Sequence, residues 1–160
     1  MTIFQAVILA GGFGTRISEE THLKPKPMIE IGNRPIIWHI MNYYSHYGVN
    51  NFIICCGYKS AVIKNYFLNY KYENSDYEID LATNEISDLK THPEKWKIRL
   101  IDTGTDTMTG GRIKRVEPYL NDNFHLTYGD GLANIGLHNL TKFHQSHGKI
   151  GTISAVVPPA

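Results

Sequence analysis

The chain has 160 residues, 42% of them hydrophobic, enough for one domain, or a large piece of one, with a real core. Sixteen Lys and Arg against fifteen Asp and Glu leave a formal charge of +1, a balance that calls for neither a nucleic-acid backbone nor an anionic membrane but still allows a small anion held by local cations. No apolar run nears the roughly 20 residues a bilayer needs, no basic leader precedes the first apolar stretch, and the adjacent Cys55 and Cys56 cannot staple distant segments, so a reducing, cytoplasmic setting is expected.

Strand and helix patterns alternate along the chain. Gln5 to Ala10 is a short apolar run bounded by Gly11 and Gly12, the pattern of a strand buried on both faces. A loop rich in Gly, Lys and Pro runs to about Gly32. Pro35 then opens a helix whose stripe is Ile37, Ile40, Met41, Tyr44 and Tyr47, closed by Gly48. Asn51 to Cys56 reads as the second strand, with both cysteines as small hydrophobes. Lys59 to Tyr70 reads as a helix with Val62, Ile63, Tyr66, Phe67 and Tyr70 inward.

Residues 72–96 break this rhythm. They are polar and acidic, and Tyr77, Ile79 and Leu81 alternate with acids as in a short, half-exposed strand. An excursion of this length is usually an interaction element or a mobile cover. The alternation resumes with a strand at Lys97–Asp102, a short helix at Gly111–Tyr119 carrying Ile113 and Val116, and a strand at Phe124–Tyr128. A helix at Gly136–His147 with Leu137, Leu140 and Phe143 inward comes next, then a strand at Ile150–Val157. The chain stops directly after that strand, as though cut off. Strands joined by amphipathic helices specify an α/β fold: a Rossmann-like, mostly parallel sheet with helices on both faces and ligands at the carboxyl ends of the strands.

That rule directs attention to the first strand's exit, Leu9-Ala10-Gly11-Gly12-Phe13-Gly14-Thr15-Arg16. Three glycines let the backbone approach a ligand closely, their amides can cradle phosphate oxygens, and Arg16 adds a guanidinium fork. A dinucleotide fingerprint is excluded because Ile17 stands where a small residue is needed, and a P-loop because Arg16-Ile17 replaces Lys-Ser/Thr. Alone, the loop reads equally well as a turn needing positive φ. Lys24-Pro25-Lys26-Pro27-Met28 follows, holding Lys26 between two prolines that stiffen its backbone. A surface Lys-Pro loop is the plainer reading of that string by itself.

Together, Gly-Gly-Phe-Gly-Thr-Arg and Pro-Lys-Pro resemble the signature of the sugar nucleotidyltransferases. The stretches Ala6–Glu20, His22–Gly32, Trp38–Met41, Tyr44–Gly48 and Phe52–Lys59 resemble the branch that joins CTP to glucose 1-phosphate. The likeness runs over essentially the whole chain but covers only the amino-terminal part of a family enzyme. It implies that residues 1–160 are the nucleotide-binding part of one nucleotidyltransferase domain. CTP and glucose 1-phosphate would be the substrates, CDP-glucose and pyrophosphate the products, and Mg²⁺ the cofactor; a homo-oligomer is expected. Leu9 to Arg16 would hold the triphosphate, and Lys26 would sit at the α-phosphate.

Two later motifs acquire roles from the same likeness. Asp102 to Arg112 is a Thr- and Gly-rich loop in which Thr105, Gly110 and Gly111 would read the pyrimidine; without the likeness it is a flexible loop capping the next helix. In Tyr128-Gly129-Asp130-Gly131, Gly129 would adjoin the nucleotide, and Asp130, at a strand's carboxyl end, can reach a Mg²⁺ that bridges phosphates. An Asx turn accounts for Gly-Asp-Gly equally well in isolation. The eight histidines form no metal set: His144 and His147 are three apart but have no suitably spaced carboxylate or cysteine.

Overall fold

A computed structural model describes residues 3–13, 24–90 and 94–156. Gly14, Thr15 and Arg16 lie outside the described residues. The apolar runs form the centre of the molecule: β1 (Gln5–Leu9) is buried at all five positions, and so are five of six in β4 (Asn51–Cys56). A small antiparallel pair, β2 (Glu30–Ile31) and β3 (Arg34–Pro35), precedes β4. With β7 (Lys97–Asp102) and β8 (His125–Tyr128), β1 and β4 make a parallel sheet of order β7-β4-β1-β8. Ala6 pairs with Phe52 on one side and His125 on the other.

Because successive side chains point to opposite faces, each central strand feeds two cores. Ala6, Ile8, Phe52 and Ile54 face α1 (Ile36–His46), α2 (Ser60–Asn74) and α4 (Leu137–His147). Val7, Leu9, Ile53 and Cys55 face α3 (Thr109–Val116) through Val116 and Ile113. The α1 stripe is formed as its spacing demands, with Ile37, Ile40, Met41 and Tyr44 buried. Each fully buried aliphatic side chain of this kind contributes about 1.5–3 kcal/mol over an exposed one.

Several sequence expectations are corrected. The helix expected to end at Tyr70 runs to Asn74, since no Gly or Pro stops it there. The helix expected at Gly111–Tyr119 starts at Thr109, and Pro118, which cannot donate to the helix ladder, leaves Glu117–Tyr119 as a 3-10 turn. The excursion holds two strands, β5 (Asp76–Asp80) and β6 (Glu85–Lys90), paired as an antiparallel hairpin with Ile79 opposite Ile86; Leu81 falls in its turn. It is wetter than half-exposed, because no second layer covers it. Residues 150–156 are not a strand: they pair with no ladder, and Ile150, Ile153 and Val156 face solvent. Phe143 also points outward, since only Leu137 and Leu140 of its helix reach the core.

Candidate functional site

A cleft of about 360 Å³ opens at the carboxyl ends of β1 and β8. Leu9, Ala10, Gly11, Gly12 and Phe13 form one wall, Lys26 and Pro27 a second, Thr105 to Thr109 a third, and Tyr128 and Asp130 close the fourth, with Arg112 lining it as well. The wall from β1 is held in place by its own backbone. Ala10 N–H donates to Cys55 O (3.1 Å), Tyr58 N–H to Gly11 O (3.2 Å) and Gly129 N–H to Leu9 O (2.9 Å). Glycine is required at Gly11, where a Cβ would run into the Arg112 guanidinium, whereas a Cβ at Gly12 would meet nothing. Gly12 therefore leaves space on the ligand side, and Gly11 is shaped by what lies beneath it.

Lys26 starts a 3-10 turn, Lys26–Met28, in which Met28 N–H donates to Pro25 O (2.8 Å) and Ile29 N–H to Lys26 O (3.0 Å). Pro25, Pro27 and Met28 are buried, so the turn is anchored in the core and leaves the lysine only its side-chain freedom. The Lys26 Nζ lies 3.8 Å from Asp130 Oδ2, with side-chain exposures of 18% and 43%. A cation and a carboxylate, contributed by segments about a hundred residues apart, thus face each other across the cleft.

Arg112 is the residue whose role the sequence did not reveal. It is buried on α3 beneath the cleft. Nη1 donates to Thr103 Oγ1 (2.7 Å), Gly104 O (2.8 Å) and Cys56 O (3.3 Å). Nη2 donates to Gly11 O (2.8 Å) and Thr105 O (3.1 Å). One planar fork thus ties the glycine turn, the end of β4 and the 103–105 loop together. Burial pulls its pKa below the ordinary arginine value, yet an arginine stays charged at any working pH, so it adds fixed positive charge to the cleft wall. Arg115 donates to Thr103 O (2.6 Å) and braces the same loop. The thiols beside it are inert, with burial pushing Cys55 up to about 11 and Cys56 up to about 12.

Of the residues singled out from the sequence, Leu9, Ala10, Gly11, Gly12, Phe13, Lys26, Thr105 and Asp130 line the cleft. Gly129 lies just behind it, bonded to β1. Gly110 and Gly111, in the first turn of α3, do not line it, because the preceding Asp106, Thr107, Met108 and Thr109 form that wall. Of the three pyrimidine-reading positions the family likeness implied, Thr105 thus lies in the lining and Gly110 and Gly111 outside it. Among the described residues, no three His, Cys, Asp or Glu side chains form a metal cage. Asp130 offers a hard oxygen of the kind that binds Mg²⁺ together with waters and phosphate oxygens, and the donor set fits that mode.

Residues 5–160 match the family model described as Nucleotidyl transferase. The chain belongs to this family. It is 52% identical to glucose-1-phosphate cytidylyltransferase of Salmonella typhimurium over 97% of its length, covering 61% of that protein. It is 49% identical to a probable glucose-1-phosphate cytidylyltransferase of Bacillus subtilis, covering 95% of this chain and 60% of that one. The chain thus spans about three fifths of the length of these relatives. The structure of a UDP-glucose pyrophosphorylase from Acinetobacter baumannii superposes with a TM-score of 0.66 at 18% identity, covering 92% of this chain and 54% of that one, which shows the shared fold. No helix among the described residues is long and apolar enough to cross a membrane.

Proposed function

We propose that this protein joins CTP and α-D-glucose 1-phosphate to give CDP-glucose and pyrophosphate, with residues 1–160 as the nucleotide-binding part of its domain. The observation that carries the reading is the cleft in which Lys26, fixed by a proline-braced turn, faces Asp130 across the glycine wall of β1. The cytidylyl and glucosyl choices are supported by relatives of that name at about half identity. A homo-oligomer in the cytoplasm completes the reading.

In this reaction an oxygen of the sugar phosphate attacks the α-phosphorus in line. A new P–O bond forms as the bond to pyrophosphate breaks, and no protein nucleophile is required. The protein has to align two anions that repel each other and offset the charge that shifts between them. The Gly11–Gly12 turn leaves room for the phosphates to approach. Lys26 would hold the α-phosphate, Arg16 would add a second cation, and Arg112 would fix the wall against which the nucleotide lies. Mg²⁺, held at Asp130, would neutralise charge on the phosphate oxygens when bound.

Pyrophosphate exchange measured in the presence of glucose 1-phosphate with CTP, dTTP, UTP, ATP and GTP tests the assignment. Exchange strongest with CTP, falling about 100-fold or more in Lys26→Ala with the fold intact, is the expected result. Preference for dTTP or UTP would assign the protein to another sugar-1-phosphate nucleotidyltransferase activity. Nucleotide binding with no exchange would show a catalytically incomplete nucleotide-binding unit.

A further inference from the structure

A second cavity, of about 410 Å³, lies at the opposite, amino-terminal ends of β1, β4 and β8. Five residues of β1 separate it from the first, about 15 Å of strand. One side is α4, on which His138, Thr141 and Lys142 fall three and four residues apart and so share a face. Leu137 and Leu140 do the packing of this helix, so that polar face is left to the cavity. The floor is His125, the first residue of β8, only 8% exposed. Tyr47 forms the far wall, its ring edge-to-face with His138 at 5.1 Å.

The chemistry of this lining is one-sided. No carboxylate contributes to it among the described residues, and the sequence from 131 to 160 contains no Asp or Glu at all. Lys142 forms no ion pair among the described residues. His125 touches the edge of Tyr44 but makes no hydrogen bond among the described residues, although it is more than nine-tenths buried. Its ring nitrogens are not closed off from the cavity, so they stand open to a ligand's donor or acceptor there, which a valine or leucine at this strand position would not offer. Burial keeps the imidazole uncharged, with one nitrogen donating and the other accepting.

We propose that this amino-end cavity is a second anion site that takes a phosphate-bearing small molecule, its phosphate held by Lys142, His138 and the His125 N–H. The volume suits a phosphate together with a sugar-sized or nucleoside-sized body, and the Tyr47 ring offers that body an apolar wall. Inorganic phosphate, pyrophosphate, a sugar phosphate and a nucleoside monophosphate share the recognising chemistry. The proposal does not depend on which nucleotide the carboxyl-end cleft takes, or on whether that cleft turns over.

Imidazole NMR signals of the full protein, titrated at pH 7.5 with inorganic phosphate, pyrophosphate, glucose 1-phosphate and CMP, test it. At least one of these is expected to shift the His125 and His138 signals together and saturably, and the tightest of the four identifies the source. Lys142→Gln, an exposed change that leaves the core alone, is expected to weaken that binding about 10-fold or more, with Lys142→Arg restoring most of it. His125 and His138 signals unmoved by all four anions would overturn the proposal. An affinity unchanged in Lys142→Gln would overturn it as well.

Discussion

β4 and β6 are both six residues long, and their environments differ at nearly every position. β4, with the sequence Asn-Phe-Ile-Ile-Cys-Cys, is buried at five positions, whereas β6, Glu-Ile-Ser-Asp-Leu-Lys, is exposed at all six. A continuous apolar run needs cover on both faces and receives it from helices on each side of the sheet. An alternating run needs only one covered face, yet the β5–β6 hairpin is given none. The glycine wall of the cleft follows the first kind of strand, so rigidity in β1 becomes precision at Gly11 and Gly12, whereas Tyr128 and Asp130 follow the more exposed edge strand β8. The hairpin lies apart from that machinery.

Phe52→Ala gives the largest expected contrast. It empties a fully buried position between β4 and Trp96 and is expected to cost about 3–5 kcal/mol in denaturant unfolding. Arg112→Met comes next. It takes the donor from the carbonyls of Gly104 and Thr105, while Gly11 O keeps Tyr58 N–H and Cys56 O keeps Thr103, and is expected to cost about 1–3 kcal/mol, with nucleotide affinity lost alongside stability. Loss of stability with affinity intact would show that Arg112 only braces the fold.

The pH dependence is a smaller effect. Burial, with His144 nearby as a lesser cause, holds the folded-state His125 below its ordinary value of 6.5. Between the folded and unfolded values the unfolded chain therefore binds more protons, and stability rises with pH there. His125's contribution is fully present above about 6.5 and is lost as pH falls through the folded value. Thermal unfolding followed from pH 8 to pH 5 is expected to show this decline, and His125→Phe is expected to flatten it. The smallest effect belongs to the hairpin, where Ile79→Ser at a 57% exposed position is expected to change stability by less than about 0.5 kcal/mol. A cost comparable to Phe52→Ala would mean that the hairpin is covered in the native assembly.

The sequence carried β1 and β4 plainly, because an unbroken run of Ile, Val, Leu and Cys closed by glycine has few other uses. It also carried the α1 stripe and the rigid setting of Lys26, since two prolines act locally. Arg112 was not legible, because its role exists only once segments from Gly11, Cys56 and Thr103–Thr105 meet around one guanidinium. Of the expected Thr105, Gly110 and Gly111, Thr105 lines the cleft and the two glycines do not, for a related reason: α3 begins at Thr109 and takes both glycines into its first turn. Ile153 and Val156 have strand-like pattern, but pattern supplies no hydrogen-bonding neighbour.

The central claim is that the carboxyl-end cleft seats the phosphates of a nucleoside triphosphate. Backbone amide NMR of the protein titrated with CTP and Mg²⁺ tests it most directly. The expected result is saturable shifts at Gly11, Gly12, Lys26 and Asp130 that disappear in Lys26→Ala, while the β5–β6 amides stay still. Saturable CTP binding that leaves those four amides unmoved would contradict it.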